Sequence, residues 1–318
     1  IKITILFVYA FMSVDLFAEE DDAEKRKIEL AITFDDLPAI IHPGMPKSTD
    51  EHPAETSTEI IENILGVLKR HKLNHVYGFM NGITTKHMEE RYKILKMWKE
   101  AGHLIGNHTY DHVDLLDVSA EKFIQDIEDN ESIMIDFVDS IEELKRFRFP
   151  FLQEGNTKEK RYAVRSYLFK RNYKISQVTV DFEDWIFGPP YMRCVLKRNL
   201  VGMRRLEKIY MEYAIKRLLY ADEIAKFIYG KPKKQILLLH VNLITARMLD
   251  KLLKKYEQLG VKYISLAEAE IDPIYKEDPG IWADVGKSFL VQALESRKLT
   301  KKTSVFPIPR DLIESICR

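Results

Sequence analysis

The chain has little cysteine, no excess charge of either sign and no apolar run long enough to cross a bilayer. Its 318 residues include 2 cysteines, Cys194 and Cys317, too few for a disulfide framework or a cysteine-ligated zinc site. One bridge and two free thiols both remain open at this stage. Lysine plus arginine and aspartate plus glutamate balance at 49 each. A protein without net charge has no long-range field that attracts nucleic acid or an anionic membrane.

The first 18 residues have the proportions of a secretory signal peptide. A lysine at position 2 precedes about ten apolar residues, and residues 16–18 offer a cleavage position. An apolar run of about ten residues is too short to span a membrane. We therefore expect export to the periplasm or the extracellular space, with a charged segment at 19–27 and no stable membrane insertion after processing. The alternative for residues 1–18 is a buried first strand or helix.

Apolar, strand-like runs alternate with segments of helical periodicity along most of the chain. Strands are predicted at 28–34, 76–80, 103–106, 146–151, 174–180, 235–240 and 261–266. Helices are predicted at 58–71, 86–101, 119–138, 157–171, 203–229 and 245–259. Such alternation is typical of parallel strands joined by crossover helices. About seven units in roughly 240 residues suit a closed barrel better than an open sheet.

Reactive side chains follow or interrupt five of the predicted strands. They are Asp35, Asp36, His108, His112, Arg148, Asp184 and His240. In a βα barrel the carboxyl ends of the strands open on one face, where the active sites of such folds lie. Five unrelated strands rarely end in this way by chance, so the sequence predicts one shared site.

Two histidines and two carboxylates suggest a metal site. His108 and His112 are four residues apart, so a helical turn would place both imidazoles on one side. With a carboxylate from Asp35 or Asp36 they form the two-histidine, one-carboxylate set of catalytic zinc sites, which leaves positions for water and substrate. The alternatives are an unrelated histidine pair or a closed structural metal site.

Three further residues have both a catalytic and an ordinary interpretation. Arg148 stands between two phenylalanines; if it points inward it needs a carboxylate, and Asp35 is the available one. His240 ends an apolar strand and is either a core histidine or an acid whose charged form Asp184 stabilises. Trp185 is either a core residue or the wall of a groove for a sugar ring.

Five motifs occur in order along the chain. They are Thr33-Phe34-Asp35-Asp36, His108-Thr109-Tyr110-Asp111-His112, Arg148-Phe149-Pro150-Phe151, Asp181-Phe182-Glu183-Asp184-Trp185 and Leu238-Leu239-His240. In these motifs the chain resembles the polysaccharide deacetylases with NodB homology, carbohydrate esterase family 4, over about residues 28–275. The resemblance implies an α/β fold, a distorted (β/α)7 barrel, and a metal-dependent enzyme that removes acetyl groups from N-acetylated sugars.

The resemblance also implies roles for the residues at the strand ends. Asp35 would be the general base, and Asp36, His108 and His112 would hold one divalent ion, zinc first, with cobalt or another ion as alternatives. The expected substrate is an N-acetylated glycan of the chitin-oligomer or peptidoglycan type.

The remaining roles concern the second half of the motif set. Arg148 would orient the base, and His240 would be the general acid with a pKa set by Asp184. The expected substrate contacts are Trp185, Leu238, Phe151 and Tyr191.

The chain departs from the family pattern at two places. Leu37 stands where glycine usually follows the two acids, and residues 186–234 form a long helical insertion, expected over or beside the groove. Residues 276–318 are predicted to be a C-terminal tail on the barrel. Three other functions stay open: acetyl-ester hydrolysis on xylan, amide hydrolysis on a non-sugar substrate, and carbohydrate binding without catalysis.

Overall fold

The computed structural model describes residues 27–38, 57–85, 89–300 and 307–318. The predicted signal peptide at 1–18 and nearly all of the charged segment at 19–27 lie outside the described residues, as do parts of the predicted tail. Within the described ranges, no helix combines the length and the apolar character that crossing a membrane requires.

The described chain alternates strands and helices, as the sequence predicts. The strands are β1 Ile28–Leu37, β2 Tyr77–Met80, β3 Leu104–Asn107, β4 Arg146–Phe147, β5 Lys174–Ile175, β6 Gln235–His240 and β7 Val261–Ile264. The helices are α1 Ser57–Arg70, α2 Glu89–Glu100, α3 Ala120–Met134, α4 Ile141–Leu144, α5 Lys158–Lys170, α6 Gly188–Leu196, α7 Leu200–Tyr229, α8 Leu243–Gln258, α9 Leu266–Ala269, α10 Phe289–Ser296 and α11 Arg310–Ser315. Every pairing between these strands is parallel.

The sheet closes on itself through one short segment. The strand order is β5-β4-β3-β2-β1-β6, and β7 pairs with the first half of β1. Residues 174–175 pair with β4, and only a few residues later Val180 forms a parallel bridge to Leu237 of β6. Residues 174–180 therefore join the two ends of the sheet, and the predicted distorted (β/α)7 barrel is confirmed.

The apolar runs form strands because the barrel buries them on both faces. In β1, Leu30, Ala31 and Phe34 are fully buried, as are Leu237 and Leu239 in β6. Parallel strands covered by helices read as near-continuous hydrophobic runs, because neither face meets water. The carboxyl ends of these strands carry the polar motif residues.

Two predicted strands are shorter than the sequence indicates. The strand predicted at 146–151 ends at Phe147, because Pro150 begins a tight 3-10 turn in which Phe151 and Leu152 have positive φ angles of 57° and 53°. Positive φ is incompatible with a strand. The strand predicted at 174–180 is interrupted where the chain passes from β4 to β6.

The helical segment between Trp185 and β6 lies beside the barrel. The buried face of α7 includes Tyr210, Ala214 and Leu218, and Ala214 accepts a hydrogen bond from the Tyr256 hydroxyl of α8 at 2.8 Å. The C-terminal residues are attached to this segment by a disulfide between Cys194 and Cys317. The pairing that the sequence left open is therefore formed.

Candidate active site

Asp35 and Asp36 both face the carboxyl end of the barrel, although they are adjacent in a strand. Successive strand side chains normally point to opposite faces. Here the pairing of β1 with β2 shifts register between Phe34 and Leu37, and Asp36 has a φ angle of +58°. Aspartate tolerates this left-handed conformation better than most residues. The local irregularity therefore turns two neighbouring carboxylates toward one site.

Asp36, His108 and His112 form a cluster with the dimensions of a metal site. One potential ligand atom from each residue lies within 4.8 Å of the others. The Asp36 Oδ1 atom is 3.2 Å from His112 Nε2 and 3.6 Å from His108 Nε2. It is buried and has no hydrogen-bond partner within the described ranges. A divalent cation would satisfy this oxygen, so the three residues fit a metal ion.

The two histidines reach the cluster from a loop, and the predicted helical turn over 108–112 is wrong. Residues 108–112 are irregular, and Thr109 and His112 have positive φ angles of 64° and 52°. Such angles break a helix. The loop still brings both imidazoles to one side, with their ring centroids 5.0 Å apart.

The surroundings of His108 favour its neutral form, which is the form in which a histidine binds a metal ion. Its Nδ1 lies 2.9 Å from the Arg148 carbonyl oxygen, a contact that requires a proton on Nδ1 and leaves Nε2 free toward Asp36. Burial and the nearby His112 lower the pKa of His108 to about 3. Metal ligands of this type must be deprotonated, so the environment matches the chemistry of the donor set.

Arg148 points inward and pairs with Asp35. Its side chain is 1% exposed, and Nη1 donates to Asp35 Oδ1 at 2.7 Å and to Thr33 Oγ1 at 2.8 Å. The Arg148 Nε donates to the Ser176 carbonyl at 3.1 Å. The other Asp35 oxygen, Oδ2, lies 3.6 Å from His108 Nε2. One carboxylate oxygen is thus held by arginine while the other faces the metal cluster.

His240, whose ring also adjoins the cluster, is held by a buried carboxylate. Its Nδ1 is 2.7 Å from Asp184 Oδ1, and Asp184 Oδ2 accepts the His240 N–H at 2.8 Å and the Thr245 hydroxyl at 3.0 Å. Burial disfavours the imidazolium, but the Asp184 carboxylate outweighs it, so the pKa of His240 is raised to about 10. His240 Nε2 faces inward, 4.0 Å from Asp36 Oδ2.

Two of the predicted groove residues lie at the mouth of the site. The Phe151 ring is 56% exposed, and its centroid is 4.5 Å from that of His112. Trp185 is 39% exposed, and the Arg310 guanidinium lies 5.6 Å from its ring centroid. Arg310 also pairs with Glu183. A residue of the C-terminal segment therefore covers part of the tryptophan that the sequence assigns to a sugar ring.

The other two predicted groove residues are buried. Leu238 lies on the same face of β6 as His240, two residues below it, and is 5% exposed. Tyr191 is fully buried in α6 and donates its hydroxyl to Glu207 of α7 at 2.7 Å. The structure does not bring Tyr191 to the site, because its phenol is used inside the helical segment.

Two residues that support the site were not among the site residues predicted from the sequence. The Asn81 side-chain amide donates to the carbonyls of His108 and Thr109 at 2.6 and 3.1 Å. Asp126, fully buried on α3, accepts the Asp111 N–H at 3.0 Å. These groups fix the backbone of the loop at residues 108–112. The feature of the sequence that could have indicated this support is Asp126 itself, an acidic residue on the apolar face of a predicted helix.

These features define a class: an α/β barrel with a histidine–carboxylate cluster that could hold a divalent metal ion at the carboxyl ends of its strands, beside a second buried carboxylate and a second histidine. Residues 22–170 match the family model described as polysaccharide deacetylase. The chain is therefore related to the NodB-type polysaccharide deacetylases, and the resemblance read from the five motifs is confirmed.

A curated protein is also similar to this chain. The peptidoglycan-N-acetylglucosamine deacetylase of Bacillus cereus is 26% identical over 175 residues, which cover 55% of this chain and 53% of the relative. The alignment thus spans about half the length of the relative.

Solved structures show the same fold. The Bc1960 peptidoglycan N-acetylglucosamine deacetylase, in complex with an N-oxidanyl-benzamide ligand, is 20% identical with a TM-score of 0.51, covering 77% of this chain and 88% of that one. A mutant of BA3943, a family 4 pseudoenzyme, with restored activity is 18% identical, also at 0.51, covering 77% and 68%. Wild-type BA3943 comes from Bacillus anthracis. At these identities the likeness concerns the fold.

Proposed function

We propose that the protein is a metal-dependent hydrolase that removes the N-acetyl group from an amino sugar of a glycan and releases acetate. The glycan is of the chitin-oligomer or peptidoglycan type. The family match and the name of the Bacillus cereus relative support this substrate class. The protein is proposed to act after export, and its disulfide supports an oxidising compartment.

One observation supports this chemistry above all others: a carboxylate suited to act as a base and a histidine suited to act as an acid both adjoin the cluster of Asp36, His108 and His112. Asp35 Oδ2 lies 3.6 Å from His108 Nε2, while His240 Nε2 lies 4.0 Å from Asp36 Oδ2. Amide hydrolysis needs a base for the attacking water and an acid for the leaving amine. A carbohydrate-binding relative without activity has no need of both groups in these positions.

Each side chain has a defined part in the proposed reaction. A divalent ion held by Asp36, His108 and His112 would lower the pKa of the attacking water and polarise the acetyl carbonyl. Asp35 accepts the proton of the water, and the hydrogen bond from the Arg148 guanidinium orients that carboxylate. The attack breaks the acetyl carbonyl double bond, and collapse of the tetrahedral species then cleaves the C–N bond.

Two groups complete the proposed mechanism. His240, charged because of Asp184, donates a proton to the sugar amine as it leaves. The Phe151 N–H, at the start of the 3-10 turn, makes no hydrogen bond to any described residue. We propose that it donates to the oxyanion of the tetrahedral species, the kind of interaction that lowers acyl-transfer barriers most.

Acetate release from defined substrates tests the proposal. Metal-loaded protein is incubated with chitooligosaccharides, peptidoglycan and acetylated xylan, and acetate is measured enzymatically. Release from an N-acetyl sugar is expected. Release from xylan alone would change the assignment to an ester hydrolase, and no release from any of them would contradict the proposed function.

Asp184→Asn is expected to move the alkaline limb of the kcat profile to lower pH. The Asp184 carboxylate raises the pKa of His240 to about 10, so the acid stays protonated until the pH passes that value. Removing the negative charge lowers the pKa of His240, and activity is then lost at a lower pH. A pKa lower by about 1 reduces kcat on that limb about tenfold, because the protonated fraction of His240 falls by that factor.

A matched control for this variant is Asp250→Asn. Asp250 contacts another histidine, His71, at 3.0 Å, but on the outer helix α8. Its pH profile is expected to equal that of the wild type. An unchanged alkaline limb in Asp184→Asn would remove His240 from the role of general acid.

A further inference from the structure

The C-terminal part of the chain lies against the turn that carries Phe151. Between residues 283 and 289 three backbone N–H groups bond to the barrel: Ala283 to the Gly155 carbonyl at 3.1 Å, Lys287 to Leu152 at 3.3 Å and Phe289 to Val178 at 2.7 Å. This segment, residues 283–289, is outside the part of the chain that the family model matches. It nevertheless contacts one edge of the site.

Gly286 makes the closest approach in this segment. A Cβ atom at position 286 would overlap the Phe151 carbonyl oxygen, and would lie 2.9 Å from the Phe151 carbonyl carbon and 3.0 Å from that of Leu152. These are backbone atoms, which cannot rotate away as the end of a long side chain can. Any other residue at this position must therefore displace either the segment or the turn.

The turn itself needs support from outside. Phe151 and Leu152 both have positive φ angles, which residues with a Cβ atom adopt at a cost. Such conformations persist when the surrounding structure holds them in place. Inside the turn, Leu152 and Gln153 donate to the carbonyls of Phe149 and Pro150 at 3.1 and 3.0 Å. Segment 283–289 supplies the packing on its other side.

We propose that Gly286 is a positioning residue for the reaction. It allows segment 283–289 to pack directly on the turn, and this packing fixes the Phe151 N–H and the Phe151 ring beside His112. The proposal rests on the proposed function for its catalytic consequence. Its structural consequence, a turn held by the C-terminal segment, does not depend on the substrate.

Gly286→Ala tests the proposal, with Gly66→Ala as the matched control. Loss of one oxyanion donor costs about 100- to 1000-fold in kcat, so partial displacement is expected to lower kcat about 10- to 100-fold. Bound metal is expected to stay near the wild-type value, because Asp36, His108 and His112 are unchanged. At Gly66, in α1, a new Cβ meets nothing closer than 3.5 Å, so kcat is expected to stay the same.

Hydrogen exchange followed by mass spectrometry gives a readout that needs no activity. Peptides covering residues 149–156 are expected to exchange faster in Gly286→Ala, while exchange in peptides covering residues 108–112 is expected to stay the same. A general loss of stability would instead raise exchange throughout the barrel. If the wild type released no acetate, the proposed function would fail while this measurement still tested the packing.

A second variant covers the case in which Gly286→Ala does not fold. Lys287→Pro removes the N–H that bonds to the Leu152 carbonyl, without adding bulk at position 286. The same fall in kcat with retained metal is expected. Wild-type kcat in a folded Gly286→Ala protein, or unchanged exchange in residues 149–156, would overturn the proposal.

Discussion

Asp35→Asn is expected to lower kcat by about 1000-fold or more while the protein keeps its metal. General base catalysis contributes about 100- to 10,000-fold to such reactions, and an amide cannot take up the proton of the attacking water. The asparagine oxygen can still accept the Arg148 hydrogen bond, which is 2.7 Å long in the wild type. The proposed metal ligands Asp36, His108 and His112 are unchanged, so the site should remain assembled.

The experiment combines acetate release at saturating substrate with elemental analysis of the purified protein. Asp111→Asn is the control, since Asp111 belongs to the same group of motifs but its side chain is exposed. The control should keep both metal and activity. Wild-type turnover in Asp35→Asn would show that another group is the base, and loss of its metal would make Asp35 a ligand.

His108→Ala is expected to lose both the metal and the activity. His108 supplies one of the three potential ligand atoms in the cluster with Asp36 and His112, and its Nε2 faces the carboxylates of Asp35 and Asp36. Even changes to residues that only support a ligand weaken metal affinity about 10- to 100-fold. Removal of the ligand itself should weaken it by at least about 100-fold, measured by competition with a chromophoric chelator.

The control for this variant is His75→Asn. His75 is exposed and has a φ angle of 55°, a conformation that asparagine accepts. It should bind metal and turn over substrate like the wild type. A His108→Ala protein that retained stoichiometric metal would remove His108 from the ligand set and leave the cluster with a different composition.

Strands that consist of a continuous run of apolar residues were predictable from the sequence. Residues 235–240 were expected to be a strand and are one, because a continuous apolar run between polar residues has few other ways to be buried. The family resemblance and the barrel followed from five motifs in order. The motifs contain the reactive residue types, so the sequence also allowed a prediction of the chemistry of the site.

Features that depend on backbone conformation were not predictable in the same way. The loop of His108 and His112 was expected to be a helical turn, but Thr109 and His112 adopt positive φ angles. A hydrogen bond donated by Asn81 and one accepted by Asp126 support this loop. Those supporting residues lie 15 or more residues away in the chain from the groups they bind. No pattern among neighbouring residues predicts a contact between residues that are so far apart in the chain.

The sequence by itself determined the set of reactive groups, the alternation of strands and helices, and the family resemblance. Only the tertiary structure decided how those groups meet: a register shift turns Asp35 and Asp36 to one side, Cys194 joins Cys317 across 123 residues, and Gly286 packs on the Phe151 turn. The physical reason is that residue type fixes what a group can do. Its position depends on packing between segments that are remote in the chain.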